Sequence, residues 1–261
     1  MDSAAREDTI PEPSLPPQKH RGLFGPAYRR RPFLLLALVA GLTGLLLWMP
    51  PQARMDLWLA IQAQHLLLAL LFVFMLVALS LVWSVGQTLD GSFFLLLNLG
   101  GWHPGWVDNL MWLATQIGSM IAGLGAAAFL FWYGRRRLAV EIVLGTLTLW
   151  LFVETVKALT DRARPFLALE GTRIVGRRET GRSFPSGHTS QIFFMATLLS
   201  HSLKLDIPWM VAVYAVAVLV GFTRVYVGAH YPRDVIGGAL LGTVWGLLTA
   251  PLDPWLFVFG G

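Results

Sequence analysis

LAVEIVLGTLTLWLFVETVKALTDRARP, residues 138–165, is almost unbroken hydrocarbon up to position 159 and then turns abruptly polar. A helix needs about 17–25 predominantly apolar residues to cross a bilayer, and 138–159 is long enough unaided. Pro165 lacks an amide proton and clashes with the preceding turn, so it halts any continuing helix. The stretch therefore predicts a membrane-spanning helix that delivers Lys157 and Arg164, seven residues apart, to one membrane boundary. Ionisable groups placed there cost on the order of 3 kcal/mol each unless paired or solvated. Their presence calls for a reason.

Composition places the whole chain in the same solvent. Of 261 residues, 55% are hydrophobic and 13% charged, with a mean hydropathy of +0.60, far from the balance of a soluble domain. The net charge is +5. Most of the basic residues are Arg lying in short segments between apolar runs, the pattern of charge that faces lipid headgroups and sets topology, and no nucleic-acid partner is implied. The absence of Cys excludes disulfides, thiolate metal sites and a cysteine nucleophile.

Residues 1–32 are polar and Pro-rich, end in Arg29, Arg30 and Arg31, and lack the periodicity needed to pack; they predict a disordered tail. Apolar stretches follow at about 33–49, 66–85, 112–133, 138–159, 189–203, 207–227 and 235–250. After the first, WMPPQARM lacks a small-x-small cleavage site, so that stretch is expected to stay attached rather than act as a signal peptide. The prediction is an all-α integral membrane protein: a six-helix transmembrane bundle core over 66–261, preceded by an additional N-terminal hydrophobic helix and connection over 33–65. Gly238, Gly242 and Gly246, four apart, form a ridge that lets helices approach closely.

Three polar clusters interrupt the apolar pattern. KALTDRARP ends the 138–159 stretch, SFPSGHTS opens the 189–203 stretch, and TRVYVGAHYPRD joins the last two. With antiparallel neighbours all three emerge on one membrane face. Lys157, Arg164 and Arg224 are then gathered with His188, His230 and Asp234. Guanidinium forks match phosphate oxygens in bidentate fashion and Lys adds a mobile point charge. A helix starting near Pro185 offers orphan N–H groups and a positive dipole end to the same anion, and Gly187 lets the backbone come close. Singly, each residue has a plainer explanation: Lys157 and Arg164 as snorkelling side chains, His188 or Asp234 as helix caps. Jointly those explanations leave the shared face and the shared chemistry unaccounted for.

Ordered as they are, the clusters resemble the tripartite signature of the type 2 phosphatidic acid phosphatase superfamily, integral-membrane lipid phosphatases related in site architecture to vanadium-dependent haloperoxidases. Lys157 and Arg164-Pro165 fit its first motif, Pro185 to His188 its second, and Arg224, His230 and Asp234 its third, with Thr223 in place of the usual Ser. The resemblance implies His230 as nucleophile, forming a phosphohistidine, with Asp234 holding its imidazole. It implies His188 as general acid and then base. Lys157, Arg164, Arg224, Ser186 and Gly187 would bind the phosphate oxygens, with no metal and no cofactor.

Other residues are read from their positions. Glu154 stands at i,i+3 from Lys157 and is a candidate to pair with and orient it. Glu141 lies too far along the helix to join and reads as interfacial. Arg173, Arg177, Arg178 and Arg182, in the loop between the first two motifs, form either a second anion contact or a solvated basic surface. The aromatic segment 89–119 reads as an interfacial layer, His103 included.

If 33–49 does not cross, the larger basic set, Lys19, Arg21, Arg29, Arg30, Arg31, Arg54, Arg135, Arg136, Arg137 and Lys204, falls opposite the site. Arg162, Arg173, Arg177, Arg178, Arg182 and Arg233 fall on its face. The positive-inside rule then favours an extracytoplasmic site; the resemblance implies the same, with a bacterial plasma membrane as the expected location. The expected activity is removal of a terminal phosphate from a lipid phosphate or diphosphate, such as undecaprenyl diphosphate, phosphatidylglycerophosphate or phosphatidate, among membrane lipids and with no obligate protein partner. A non-catalytic lipid-phosphate binder or carrier and a haloperoxidase-like enzyme using vanadate are the alternatives.

Overall fold

The computed structural model describes residues 64–249, apart from 83 and 102, with isolated positions 43, 44, 47 and 55 before them. The predicted tail over 1–32 and nearly all of the predicted helix and connection over 33–65 lie outside the described residues. Among the described residues the regular secondary structure is all helical, with no strand. In chain order they form α1 (His65–Ser80), α2 (Ser84–Leu99), α3 (Gly105–Gln116), α4 (Met120–Trp132), α5 (Arg136–Thr160), the single turn α6 (Pro165–Ala168), α7 (Gly187–Ser202), α8 (Ile207–Tyr226) and α9 (Pro232–Thr249).

By length and composition, the helical run Arg136–Ala168 and α8 are able to cross a membrane. Two bent pairs qualify when each is taken together: α1 with α2, turned by 96°, and α3 with α4, turned by 58°. The stretch predicted as one helix over 112–133 is thus broken at Ile117–Ser119, where the Ser119 hydroxyl accepts from the Ala122 amide and caps a new helix. The break has a packing cause: a Cβ added at Gly118 would lie 2.7 Å from the His188 carbonyl. The predicted helices over 189–203, 207–227 and 235–250 correspond to α7, α8 and α9. At 16 residues, α7 extends about 24 Å at 1.5 Å per residue, short of a typical hydrocarbon core.

The most extensive helix contact is α7 against α9. Its cause is the glycine ridge: at Gly238 an added Cβ would stand 2.6 Å from the Ser186 carbonyl, and at Gly242 and Gly246 it would collide with α7 backbone and with Thr197. Between α5, α7 and α9 lies an apolar core containing Ile142, Leu149, Phe194, Leu198 and Leu241. The outward faces carry Leu, Phe, Trp and Val, among them Phe72, Phe93, Leu151 and Val218. An apolar exterior around a partly polar interior is the arrangement a bilayer imposes.

Candidate active site

The C-terminal end of α5, the N-terminal end of α7, the end of α8 and the start of α9 meet at one end of the bundle. Backbone bonds tie the junctions together: Ser183 N–H donates to the Arg162 carbonyl at 2.8 Å, and Ser186 N–H donates to the Asp234 carbonyl at 3.0 Å. The three polar clusters therefore meet at one end of the bundle, as antiparallel helix order predicts. A cavity of about 230 Å³ opens among them, lined by Lys157, Glu179, Gly187, His188 and His230, with Met120, Leu149, Trp150 and Val153 forming an apolar wall.

His230 lies between α8 and α9 and is fully buried. Its Nε2 stands 3.3 Å from Arg164 Nη1 and 3.9 Å from Glu179 Oε2. Its Nδ1 is 3.6 Å from Asp234 Oδ2, beyond an ordinary hydrogen bond, and has no hydrogen-bond partner among the described residues. Burial pushes the imidazole down; the Asp234 carboxylate opposes that, while the Arg164 and Arg224 cations add to it, leaving a pKa of about 4. The ring is neutral near pH 7 and its Nε2 faces the cations.

Asp234 is held in place by three donors. Arg162 Nη1 donates to Oδ1 at 2.6 Å, while the Ser183 hydroxyl at 2.5 Å and the Tyr231 amide at 2.9 Å donate to Oδ2. Arg162 in turn donates to Asp90 at 2.5 Å, and its guanidinium sits 4.1 Å from the centre of the Tyr231 ring. Asp90 also accepts from the Arg233 amide at 3.1 Å. A buried chain Asp234–Arg162–Asp90 thus runs from the site into α2 and returns to α9 at the Arg233 amide.

The cations line the other side. Arg164 donates to the carbonyls of Thr180 at 3.0 Å and Ala229 at 3.1 Å. Arg224 donates to Thr115 Oγ1 at 2.7 Å and through Nη2 to Glu179. Lys157 Nζ lies 3.9 Å from where a Cβ on Gly187 would be and donates to Glu154 Oε1 at 2.8 Å, the pairing their spacing predicts. Ser186 is the N-cap of α7, its Oγ accepting from Thr189 Oγ1 at 2.9 Å; its own hydroxyl proton is left to donate. His188, in the first turn of α7, is within electrostatic reach of Arg224, Glu179, His230 and Lys157. Thr223 donates to the Val220 carbonyl of its own helix.

Several predicted positions lie elsewhere. Glu141 is buried near the start of α5 and pairs with Arg137; it lies thirteen positions from Glu154 on the same helix, roughly 20 Å. Arg173 is an anchor of its loop: it pairs with Asp108 at 2.7 Å, and its backbone is held by Asn98. Arg182 pairs with Asp161. The His103 ring packs 5.5 Å from that of Tyr226. Arg162, Glu179, Ser183 and Asp90 are the site residues that sequence reasoning missed. Arg162 carried a signal, since it lies two residues before Arg164 within the first cluster.

The chain is similar to known proteins in sequence and in fold. The sequence model of the PAP2 superfamily matches residues 138–257. The chain is 31% identical over 149 residues to the undecaprenyl-diphosphatase of Sulfolobus acidocaldarius, covering 56% of this chain and 71% of that one. It is also 31% identical over 165 residues to phosphatidylglycerophosphatase B of Bacillus subtilis, covering 57% and 76%. The crystal structure of a transmembrane PAP2-type phosphatidylglycerolphosphate phosphatase from Bacillus subtilis superposes with a TM-score of 0.62 at 23% identity, over 74% of this chain and 98% of that one.

Proposed function

Because the chain belongs to the PAP2 superfamily, we propose that it is a membrane-embedded phosphatase that removes the terminal phosphate of a lipid phosphate or diphosphate through a phosphohistidine at His230. The observation that carries this reading is the setting of His230 Nε2: a neutral ring nitrogen 3.3 Å from a phosphate-binding guanidinium, in a cavity that joins cations to an apolar wall. Cations without a nucleophile would make a binder. The Asp234 carboxylate, fixed by three donors and aimed at the far side of the ring, is what an attacking imidazole requires.

The reaction runs in two displacements. His230 Nε2 gives its lone pair to phosphorus while the bond from phosphorus to the leaving oxygen breaks, and His188 donates a proton to that oxygen. Asp234 supports the positive imidazolium at Nδ1, the gap of 3.6 Å closing as charge develops. Water then attacks phosphorus, His188 takes its proton, and the P–N bond breaks to restore neutral His230 and release inorganic phosphate. Arg164, Arg224, Lys157 and the amides at the start of α7 hold the equatorial oxygens. The charge compensation is supplied by these groups, and Glu154, Glu179, Asp90 and Asp234 are each already engaged by a cation, so the reaction is read as metal-independent.

The lipid tail fits the wall of Met120, Leu149, Trp150 and Val153. In this reading the six spans of the core are α1 continued by α2, the α3–α4 pair, α5, α7, α8 and α9, the 16-residue α7 crossing inside the bundle, and the site faces the extracytoplasmic side. The test is phosphate release by the purified protein from undecaprenyl diphosphate, phosphatidylglycerophosphate and phosphatidate in detergent with a chelator present. Wild type should release phosphate from at least one, and His230→Ala should lose at least about a thousandfold in rate. Equal release by the two proteins would remove the nucleophile, and a requirement for added metal would remove the mechanism.

A further inference from the structure

Between the first two motifs, residues 176–182 form an arc in which every residue is exposed except Glu179. Its side chain is 28% exposed and turns inward. Gly176 and Gly181, with φ of 79° and 83°, bound the arc in a backbone region that glycine enters freely. Arg164 holds the arc down through the carbonyls of Thr180 and Gly181.

The destination of Glu179 is the phosphate site itself. Oε2 accepts from Arg164 Nη1 at 2.9 Å and stands 3.9 Å from His230 Nε2, while Oε1 accepts from Arg224 Nη2. One carboxylate therefore spans both guanidiniums in front of the attacking nitrogen, where the reaction proposed above puts the phosphoryl group. A carboxylate offers two oxygens to bidentate donors much as phosphate does. Burial alone would raise its pKa, but Arg224, His230, His188 and Arg164 outweigh that and hold it well below the usual carboxylate range, so it stays ionised. A phosphate bound there would meet the same two guanidiniums.

We propose that Glu179 is a tethered occupant of the phosphate site: it neutralises Arg164 and Arg224 while the site is empty, yields to incoming phosphate, and returns to displace inorganic phosphate after turnover. The inference rests on the phosphatase reading for its place in the cycle, but the competition itself is a property of binding. An unopposed pair of guanidiniums would retain the product; a tethered competitor weakens product and substrate phosphate alike without touching the lipid tail.

The experiment measures inorganic phosphate binding by calorimetry to the full-length protein in detergent, for wild type, Glu179→Gln and Glu170→Gln. Glu179→Gln should bind phosphate at least about tenfold more tightly, because the amide keeps the shape and loses the charge. Glu170, exposed in the same loop, is the control for long-range charge, and its replacement should leave Kd within twofold. Weaker or equal binding by Glu179→Gln overturns the proposal in favour of an ion pair that merely orders the two arginines. A matching gain in Glu170→Gln overturns it as a general field effect.

A second measurement needs no variant. Saturating phosphate should speed hydrogen exchange at amides 177–180 of the wild type as the carboxylate is displaced, and unchanged or slowed exchange overturns the proposal. Absence of phosphate binding by every protein overturns both this inference and the phosphate site beneath it. Tighter binding by Glu179→Gln in a protein that hydrolyses no lipid phosphate upholds the competition and removes the enzyme.

Discussion

A histidine attacks phosphorus only through an unprotonated ring nitrogen. For His230, burial and two guanidiniums lower the pKa to about 4, so the lone pair is present above that pH and lost as pH falls through it. In an NMR titration of histidine-labelled protein, assigned by the His230→Ala spectrum, the ring should stay neutral at pH 5.5 and protonate near 4; a midpoint at 6–7 would contradict the arrangement. Arg162 is the other decisive side chain, shared by two buried carboxylates. Removing it as Arg162→Ala should cost roughly 3–5 kcal/mol, the usual penalty for leaving buried charge unpaired, read as a large loss of thermal stability. Arg162→Lys should fold but lower kcat at least about tenfold with little change in KM, because one ammonium cannot hold Asp234 and Asp90 in the same fork geometry. Unchanged kcat would show that Asp234 is oriented without it. Lys157, Arg164, His188, Arg224, His230 and Asp234 were legible in the sequence because each motif is local, with fixed spacing at a helix end. Glu179 and Asp90 were not, and Arg162 was visible only as a neighbour of Arg164 in the first cluster, since their partners lie 45, 72 and 72 positions away and no local pattern encodes such pairings.

Among the elements, α2 has a polar inside. Asp90, Gly91, Phe94, Leu95 and Asn98 form its buried stripe, while Leu89, Phe93, Leu96 and Leu97 face outward. Asn98 pins the end of α8 and the loop after α6 by bonds to the carbonyls of Tyr226 at 2.8 Å and Arg173 at 3.0 Å. The aromatic and apolar residues of this segment suggested an interfacial layer; its helical spacing of Asp90 and Asn98 was the overlooked sign of a bonded inner face. The glycine ridge was legible from spacing alone, although its partner, α7, was not. Gly242→Ala should therefore lower thermal stability by about 1–3 kcal/mol, as overpacking does, because Ser190 and Phe194 backbone lie in the path of the new Cβ. Gly125→Ala, where no described atom lies within 4 Å of the added Cβ, should be neutral or stabilising by roughly 0.5–1 kcal/mol. Melting curves of the two variants in one detergent check both, and an equal loss in each would mean that the ridge is not where α7 and α9 make their close approach.

For the molecule as a whole, membrane class and the meeting of three clusters at one end followed from hydropathy and antiparallel order. The bends did not, because hydropathy counts apolar residues without regard to the turn at Gly118 that lets the chain pass His188. Orientation is the consequence to test at this scale. The chain has no Cys, so single cysteines report cleanly. Glu170→Cys should react with a membrane-impermeant maleimide on intact spheroplasts, whereas Arg135→Cys, exposed at the opposite end of α5, should react only after permeabilisation; the reverse pattern would place the site in the cytoplasm. The proposed reaction carries the phosphoryl group on one ring nitrogen. Rapid quenching of the wild type with a lipid substrate bearing a labelled terminal phosphate should trap an acid-labile, alkali-stable phosphoryl group on His230, absent from His230→Ala. Turnover with no such adduct, or with the label on another side chain, would contradict it.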